Sequence, residues 1–308
     1  QRTQINEPSH LPSTNMNEWL VVGGSYPGAL AAWYRLKFPH LSVGSHSSSG
    51  VVDAILEFTE FDEQVATTAG PVCADALRAV TAEIEAAMPG VKALFGAEDL
   101  EDGDFFYLVA DAGAEGMQYG HRDVVCNAVV PPFQAGSNPL SAYVNYTTDF
   151  FYKVMGNSPL DYDSNIFADP VSGGNGRSWW WEKCSELAYW QIAPSVGSIR
   201  SSFVNMSYHE ALCKKVFGLV ELPAVNETNN YYGGQYPHGT NTWFYNGLQD
   251  PWQWAGVRAS LGPSRPAWLV AEAAHCGDLY TPSPEDPPGL VVEREQLMGQ
   301  YAAWLSQG

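Results

Sequence analysis

The segment that most limits what this chain can fold into runs from Glu18 to Gly28. Glu18-Trp-Leu-Val-Val22 is a short apolar run of the kind that forms a buried parallel strand. It stops at Gly23-Gly24, and Ser25-Tyr26-Pro27-Gly28 follows. Ala29 to Phe38 is rich in Ala and Leu, with Pro27 near its start, where a helix tolerates proline, and Pro39 at its end. Leu41-Ser-Val-Gly-Ser45 reads as a second strand. Strand, tight turn, helix and strand within so few residues make one βαβ unit, which commits the chain to an α/β class with a parallel sheet.

The rest of the chain divides by pattern. From about residue 60 to 235, helical periodicity dominates, as in Cys73 to Met88 and Ser178 to Ile192, with loops rich in Gly, Pro and Asn between. Strand patterns return at Thr242-Trp-Phe-Tyr245 and Trp268-Leu-Val-Ala271, and Val291 to Leu305 reads as a closing helix. The expected organisation is therefore a sheet-based core from 1–59 and 236–308, interrupted by a helical insertion over 60–235.

Charge and length exclude several classes of function. The chain has 308 residues, 45% of them hydrophobic, enough for a sizeable core. It carries 15 Lys+Arg against 34 Asp+Glu, a net charge of -19. Such a balance argues against nucleic acid or an anionic membrane as a partner. It suits either a protein that works at low pH, where carboxylates are protonated, or a merely soluble acidic one. No apolar run reaches the ~18 residues of a membrane-spanning helix. Gln1 to Asn15 is polar and does not read as a signal peptide. Three sequons, at Asn145, Asn205 and Asn226, together with five cysteines, favour a lysosomal, vacuolar or secreted protein. Cys184 and Cys213 are candidates for one bridge and Cys73 and Cys126 for a second, although spacing alone leaves the connectivity open; Cys276 is then left over.

The chemistry centres on Ser25. A serine hydroxyl is a poor nucleophile until a base takes its proton, and that base must be held by a third group. In α/β-hydrolases the serine sits on a strained turn between strand and helix, crowded by glycines. Gly23-Gly-Ser25-Tyr-Pro-Gly28 has that layout, with Gly28 one residue later than in the strict pattern. The acid and the histidine should follow in that order, each after a later strand. Asp250 follows the Thr242 strand and His275 follows the Trp268 strand. Ser25 as nucleophile, Asp250 as orienting acid, His275 as general base and the backbone N–H of Tyr26 as oxyanion donor form the expected catalytic set. A serine esterase or lipase would use the same set, and a non-catalytic glycoprotein could carry its remnants. Asp161-Tyr-Asp163 lacks the glycine and glutamate of a calcium loop, and His209-Glu210 lacks the second histidine of a zinc-protease helix. No cofactor or metal is expected.

Three blocks carry a resemblance. Gly23-Gly-Ser-Tyr-Pro-Gly28, Asn246-Gly-Leu-Gln-Asp-Pro-Trp252 and Ala274-His-Cys-Gly-Asp-Leu279 are similar to the catalytic blocks of the lysosomal Pro-X carboxypeptidase family, peptidase family S28. Arg35-Leu-Lys-Phe-Pro-His40 and Arg177 to Glu186 add to it. The resemblance implies an α/β-hydrolase with a large helical cap, acting at mildly acidic pH on peptides with proline beside the scissile bond. Trp252, Tyr189 and Glu186 are then candidates for the substrate site. Trp180 stands where the dipeptidyl-peptidase branch carries an amine-binding Asp, and Glu182 stands where relatives have Gln. Family chains begin well before the nucleophile. The resemblance therefore implies a fragment or a processed piece, with further strands and a second oxyanion donor supplied from upstream. The Glu18 strand would present an open edge, inviting a second copy of the chain or the missing N-terminal piece.

Overall fold

The computed structural model describes residues 17–306. The reading of Gln1 to Asn15 lies outside the described residues. The chain opens with β1 (Leu20–Gly24), α1 (Tyr26–Lys37), β2 (Gly44–Ser48) and β3 (Ile55–Glu57). A helical series follows: α2 (Thr59–Ala69), α3 (Pro71–Ala87), α4 (Asp102–Gln118), α5 (Arg122–Gln134), α6 (Leu140–Tyr146), α7 (Ser164–Ala168) and α8 (Gly174–Glu182). Then come β4 (Ala188–Trp190), α9 (Met206–Phe217), α10 (Val225–Tyr232), β5 (Thr242–Gly247), β6 (Ala267–Val270) and α11 (Pro288–Leu305). No described helix is long and apolar enough to cross a membrane.

Strands β1, β2, β5 and β6 form one sheet in the order β1-β2-β5-β6, and every pairing is parallel. Because the strands run the same way, their carboxyl ends share one edge, where loops collect functional groups. Among the described residues β1 pairs on one side only, with β2. Helix α1 packs on β1 and β2 through Ala29, Ala32 and Trp33, all buried. Arg35 fixes its far end by donating to the carbonyls of Thr240, Pro39 and Ser42.

The second strand lies three residues later than the apolar pattern suggests. The sequence Gly44-Ser-His-Ser-Ser48 is polar, yet all of it is buried. Side-chain partners make this tolerable for Ser45, His46 and Ser48, since a buried polar group is costly only when unpaired; Ser47 Oγ has no partner among the described residues. Ser45 Oγ donates to Thr242 Oγ1 at 2.9 Å. His46 Nε2 lies 2.6 Å from Asp278 Oδ2, its Nδ1 2.8 Å from the Tyr301 hydroxyl, and Ser48 Oγ donates to Asp278 Oδ1.

The helix expected over Ser178 to Ile192 also ends early. Helix α8 stops at Glu182, widens into one π turn over Lys183–Leu187, and gives way to β4. Ala188 and Tyr189 take positive φ values of 56° and 47°, which break the helix. Strand β4 pairs instead with β3, aligning Ile55 with Ala188 and Glu57 with Trp190.

The largest core lies in the helical layer. Phe58, Phe61, Phe95, Phe105, Phe106 and Trp190 are all essentially inaccessible to water. Burying each contributes on the order of 2–3 kcal/mol. Disulfides join Cys73 on α3 to Cys126 on α5, and Cys184 in the π turn to Cys213 on α9; Cys276 is free. Cross-linking loops of 53 and 29 residues restricts the unfolded chain by about 4 kcal/mol each.

Candidate active site

Ser25 occupies the turn between β1 and α1 with φ 61° and ψ -129°, a strained conformation for a residue other than glycine. Two glycines permit it. A Cβ on Gly23 would lie 2.0 Å from the Pro27 carbonyl oxygen, and one on Gly28 would lie 2.8 Å from the Ser48 oxygen. The Ser25 amide donates to Ser48 O at 2.9 Å, and its carbonyl accepts from Gly28 and Ala29, starting the helix. Tyr26 is the first residue of α1, so its N–H has no acceptor inside the helix.

Asp250 follows β5 and caps a short 3₁₀ turn, Pro251–Ala255. Its Oδ1 accepts from the Trp252 amide at 2.9 Å, and its Oδ2 lies 2.6 Å from Nδ1 of His275, which follows β6. Both side chains are buried. The imidazole is fixed from behind, because the His275 amide donates to Gln118 O at 2.9 Å and the Tyr119 ring meets it edge-on. Burial lowers the pKa of His275, but the charge of Asp250 and its hydrogen bond outweigh burial and raise it to about 10, with Cys276 adding. The other ring nitrogen, Nε2, is buried with no hydrogen-bond partner among the described residues.

One strand end ties the two halves together. Ser25 N donates to Ser48 O, and Cys276 N donates to Ser49 Oγ at 2.9 Å. The serine turn and the histidine loop are thus anchored on adjacent residues at the carboxyl end of β2, Ser48 and Ser49. Arg294 on α11 holds the same loop, donating to the carbonyls of Gly277, Asp278 and Tyr280.

A cavity of about 320 Å³ opens at Ser25. Trp252 lines it, donating its indole N–H to Gln118 Oε1 at 2.9 Å. Tyr189 does not line it: the side chain is fully buried, its hydroxyl bonds to Val51 O, and its ring backs Trp252 edge-on. Glu186 is exposed on the π turn and is not among the residues that line the cavity. Its charge, after burial, raises the pKa of Glu182. Trp180 does line the cavity. Asn145, Asn205 and Asn226 are all exposed, and Asn205 also caps α9 by accepting from the Tyr208 amide. Among the described residues, no group of three His, Cys, Asp or Glu side chains is placed to hold a metal ion.

The sequence reading missed the contribution of α4. Tyr107, Asp111, Glu115 and Gln118 all face the cavity, spaced by four, four and three residues on one side of the helix. The available signal was a pair of carboxylates four residues apart in a helical stretch otherwise rich in Ala, Gly and aromatics. Lys183 also reaches the cavity, donating to Tyr107 Oη and Gln191 Oε1 at 3.1 Å each.

The pattern of the family described as Serine carboxypeptidase S28 matches residues 3–101 and 121–297. A relative named "Probable serine protease EDA2", from Arabidopsis thaliana, is 39% identical over 94% of this chain and 64% of its own length. The "Thymus-specific serine protease" of Mus musculus is 29% identical over 96% of this chain and 65% of its own. The "Lysosomal Pro-X carboxypeptidase" of Bos taurus is 24% identical over 96% and 65%. The chain thus spans just under two thirds of the length of these relatives. With a family match over most of the sequence, this chain belongs to the serine carboxypeptidase S28 family.

Proposed function

We propose that this chain carries the catalytic centre of a serine peptidase, with Ser25 as nucleophile, His275 as general base and Asp250 as the acid that orients it. The observation that carries this reading is the 2.6 Å pair of Asp250 and His275, anchored beside the Ser25 turn on Ser48 and Ser49. Asp250 keeps the proton on Nδ1, which leaves the Nε2 lone pair free to act as base. Ser25 Oγ attacks the substrate carbonyl and passes its proton to Nε2. The oxyanion forms at the start of α1, where the Tyr26 N–H and the helix dipole stabilise it. His275 then donates the proton to the leaving amine, and a water hydrolyses the acyl-enzyme by the same route in reverse.

For substrate, we propose peptides with proline near the scissile bond. The family resemblance and the aromatic face of Trp252 support this, since proline is a compact apolar ring without an N–H. The fold follows as an α/β-hydrolase, with the helices of 60–235 forming a cap over a core made by 1–59 and 236–308. Two disulfides suit an oxidising compartment, lysosomal, vacuolar or extracellular. Activity at mildly acidic pH, which the family resemblance implies, is part of this proposal. Against the effect of burial, Asp250 raises the pKa of His275 by its charge and hydrogen bond, so a rate set by that residue alone grows from acid toward neutral pH, and acid activity then needs a second group.

A fluorophosphonate probe on the full-length protein tests the assignment. Labelling at Ser25, abolished in Ser25→Ala and strongly reduced in His275→Ala, is the expected result. Prolyl-peptide cleavage retained by Ser25→Ala overturns it.

A further inference from the structure

We infer that the cavity beneath Ser25 receives a cationic side chain of the substrate, a lysine or an arginine, held by Glu115 and Asp111 between aromatic walls. This inference rests on the peptidase reading and adds to it the charge of a residue near the cleaved bond.

Position makes the cavity part of the substrate site. Ser25, Gln118 and Trp252 line it together, and Gln118 ends the cavity-facing row of α4. Gln118 is the residue whose carbonyl holds the His275 amide. At 1.5 Å per residue, Glu115 lies about 4.5 Å and Asp111 about 10 Å along the axis from that point. A long side chain on a residue bound at Ser25 spans such distances.

The electrostatics favour a cation. Asp111, Glu115 and Asp161 line the cavity against a single cation, Lys183. Lys183 already donates to Tyr107 and Gln191, and burial, then Arg200, lowers its pKa to about 7 against the pull of Asp111. Arg200, just outside, is held by Asp62 at 2.6 Å and Asp111 at 3.4 Å. Among the described residues Glu115 meets the Asn157 amide, at 3.1 Å, and the Tyr162 hydroxyl, and no cation pairs with it. Burial, reinforced by Asp111, therefore raises its pKa to about 8. An entering ammonium or guanidinium group would let Glu115 ionise, whereas an anion would find Lys183 already engaged by Tyr107 and Gln191. The walls add to the preference. Tyr107, Trp179, Trp180 and Trp252 present ring faces and edges, and Lys183 Nζ already sits 4.3 Å from the centre of the Trp180 ring. Cations removed from water are attracted to such ring faces.

The test compares prolyl peptides that differ only by arginine against citrulline, its neutral analogue, on either side of the scissile bond. Each is made with a free and an acetylated N-terminus and assayed on the full-length protein. The expected result is a kcat/KM at least tenfold higher for arginine, retained on acetylation, with Glu115→Gln shrinking that ratio about tenfold. Equal rates for arginine and citrulline overturn the inference, as does a Glu115→Gln loss that is equal for both. A preference that vanishes on acetylation assigns the cavity to a main-chain amine and also overturns it. Calorimetric binding of both peptides to Ser25→Ala separates this inference from the peptidase reading. If no peptide is cleaved, the peptidase reading fails, and tighter binding of arginine still decides the cavity.

Discussion

His275 Nδ1 lies 2.6 Å from Asp250 Oδ2, and both groups are shut away from water. The pair is held from both sides: the Trp252 amide fixes the carboxylate and Gln118 O fixes the histidine backbone. The ring's orientation is therefore set before any substrate arrives.

Replacing Asp250 with Asn tests that pair. The amide removes the charge that raises the imidazole pKa and leaves burial, which lowers it. Nuclear magnetic resonance of the His275 ring should show a pKa below the wild-type value. Peptidase kcat should fall roughly 10³–10⁴-fold, through loss of the correct tautomer. An unchanged kcat would count against the assigned roles.

The pH–rate profile follows from the same shift. With its pKa raised from the ordinary 6.5 to about 10, His275 becomes a free base only as pH rises, so its share of the rate grows with pH. We expect kcat/KM to climb between pH 5 and 8 in the wild type, with the limb moving to lower pH in Asp250→Asn. A rate that peaks near pH 5 and falls by pH 7 would mean that another group controls the profile.

Gly23→Ala probes the turn. The added Cβ would lie 2.0 Å from the Pro27 carbonyl oxygen, a backbone atom with little freedom to move. We expect a loss of about 3 kcal/mol or more and no fluorophosphonate labelling. Denaturant unfolding and probe labelling read the two effects.

His46→Ala leaves a buried Asp278 with Ser48 as its remaining side-chain partner. Leaving a buried acceptor without its hydrogen-bond partner costs about 1–3 kcal/mol. Because Asp278 lies in the loop that follows His275, thermal melting should drop and amide exchange in that loop should rise. Exchange unchanged in the loop would separate the network from the site.

Glu293 supplies a pH dependence of stability. Its side chain is buried, with Trp243 Nε1 donating to Oε1 at 2.6 Å and Oε2 unpartnered. Burial, with the charge of Asp278, raises its pKa from 4.5 to about 8. The folded state then holds a proton that the unfolded state releases, so this contribution is complete below about 4.5 and is lost as pH rises through 8. The slope is at most about 1.4 kcal/mol per pH unit. Melting temperatures at pH 5 and pH 8 should differ, and Glu293→Gln should narrow the gap.

The parts of this protein that were legible in its sequence are those set by local chemistry. Gly23-Gly-Ser25 between an apolar run and an Ala-rich stretch specifies a strand, a tight turn and a helix, because only glycine fits beside the Pro27 carbonyl. The later strand patterns located the loops of Asp250 and His275. Other features depend on partners distant in sequence. Strand β2 is made of buried serines and a histidine whose partners, Thr242, Asp278 and Tyr301, come from the far end of the chain, so no apolar alternation marks it. Strand β4 replaces the end of a helix because β3 offers it a ladder. Tyr189 looked like a pocket residue and became a buried support for Trp252, since exposure is a property of the packing around a side chain. The sequence by itself determined the serine turn and the order of the three catalytic candidates, through glycine sterics and strand–loop patterning. Only the tertiary structure decided that Asp250 meets His275 and that α4 turns Glu115 and Asp111 toward Ser25, because distance and burial arise when separate elements pack.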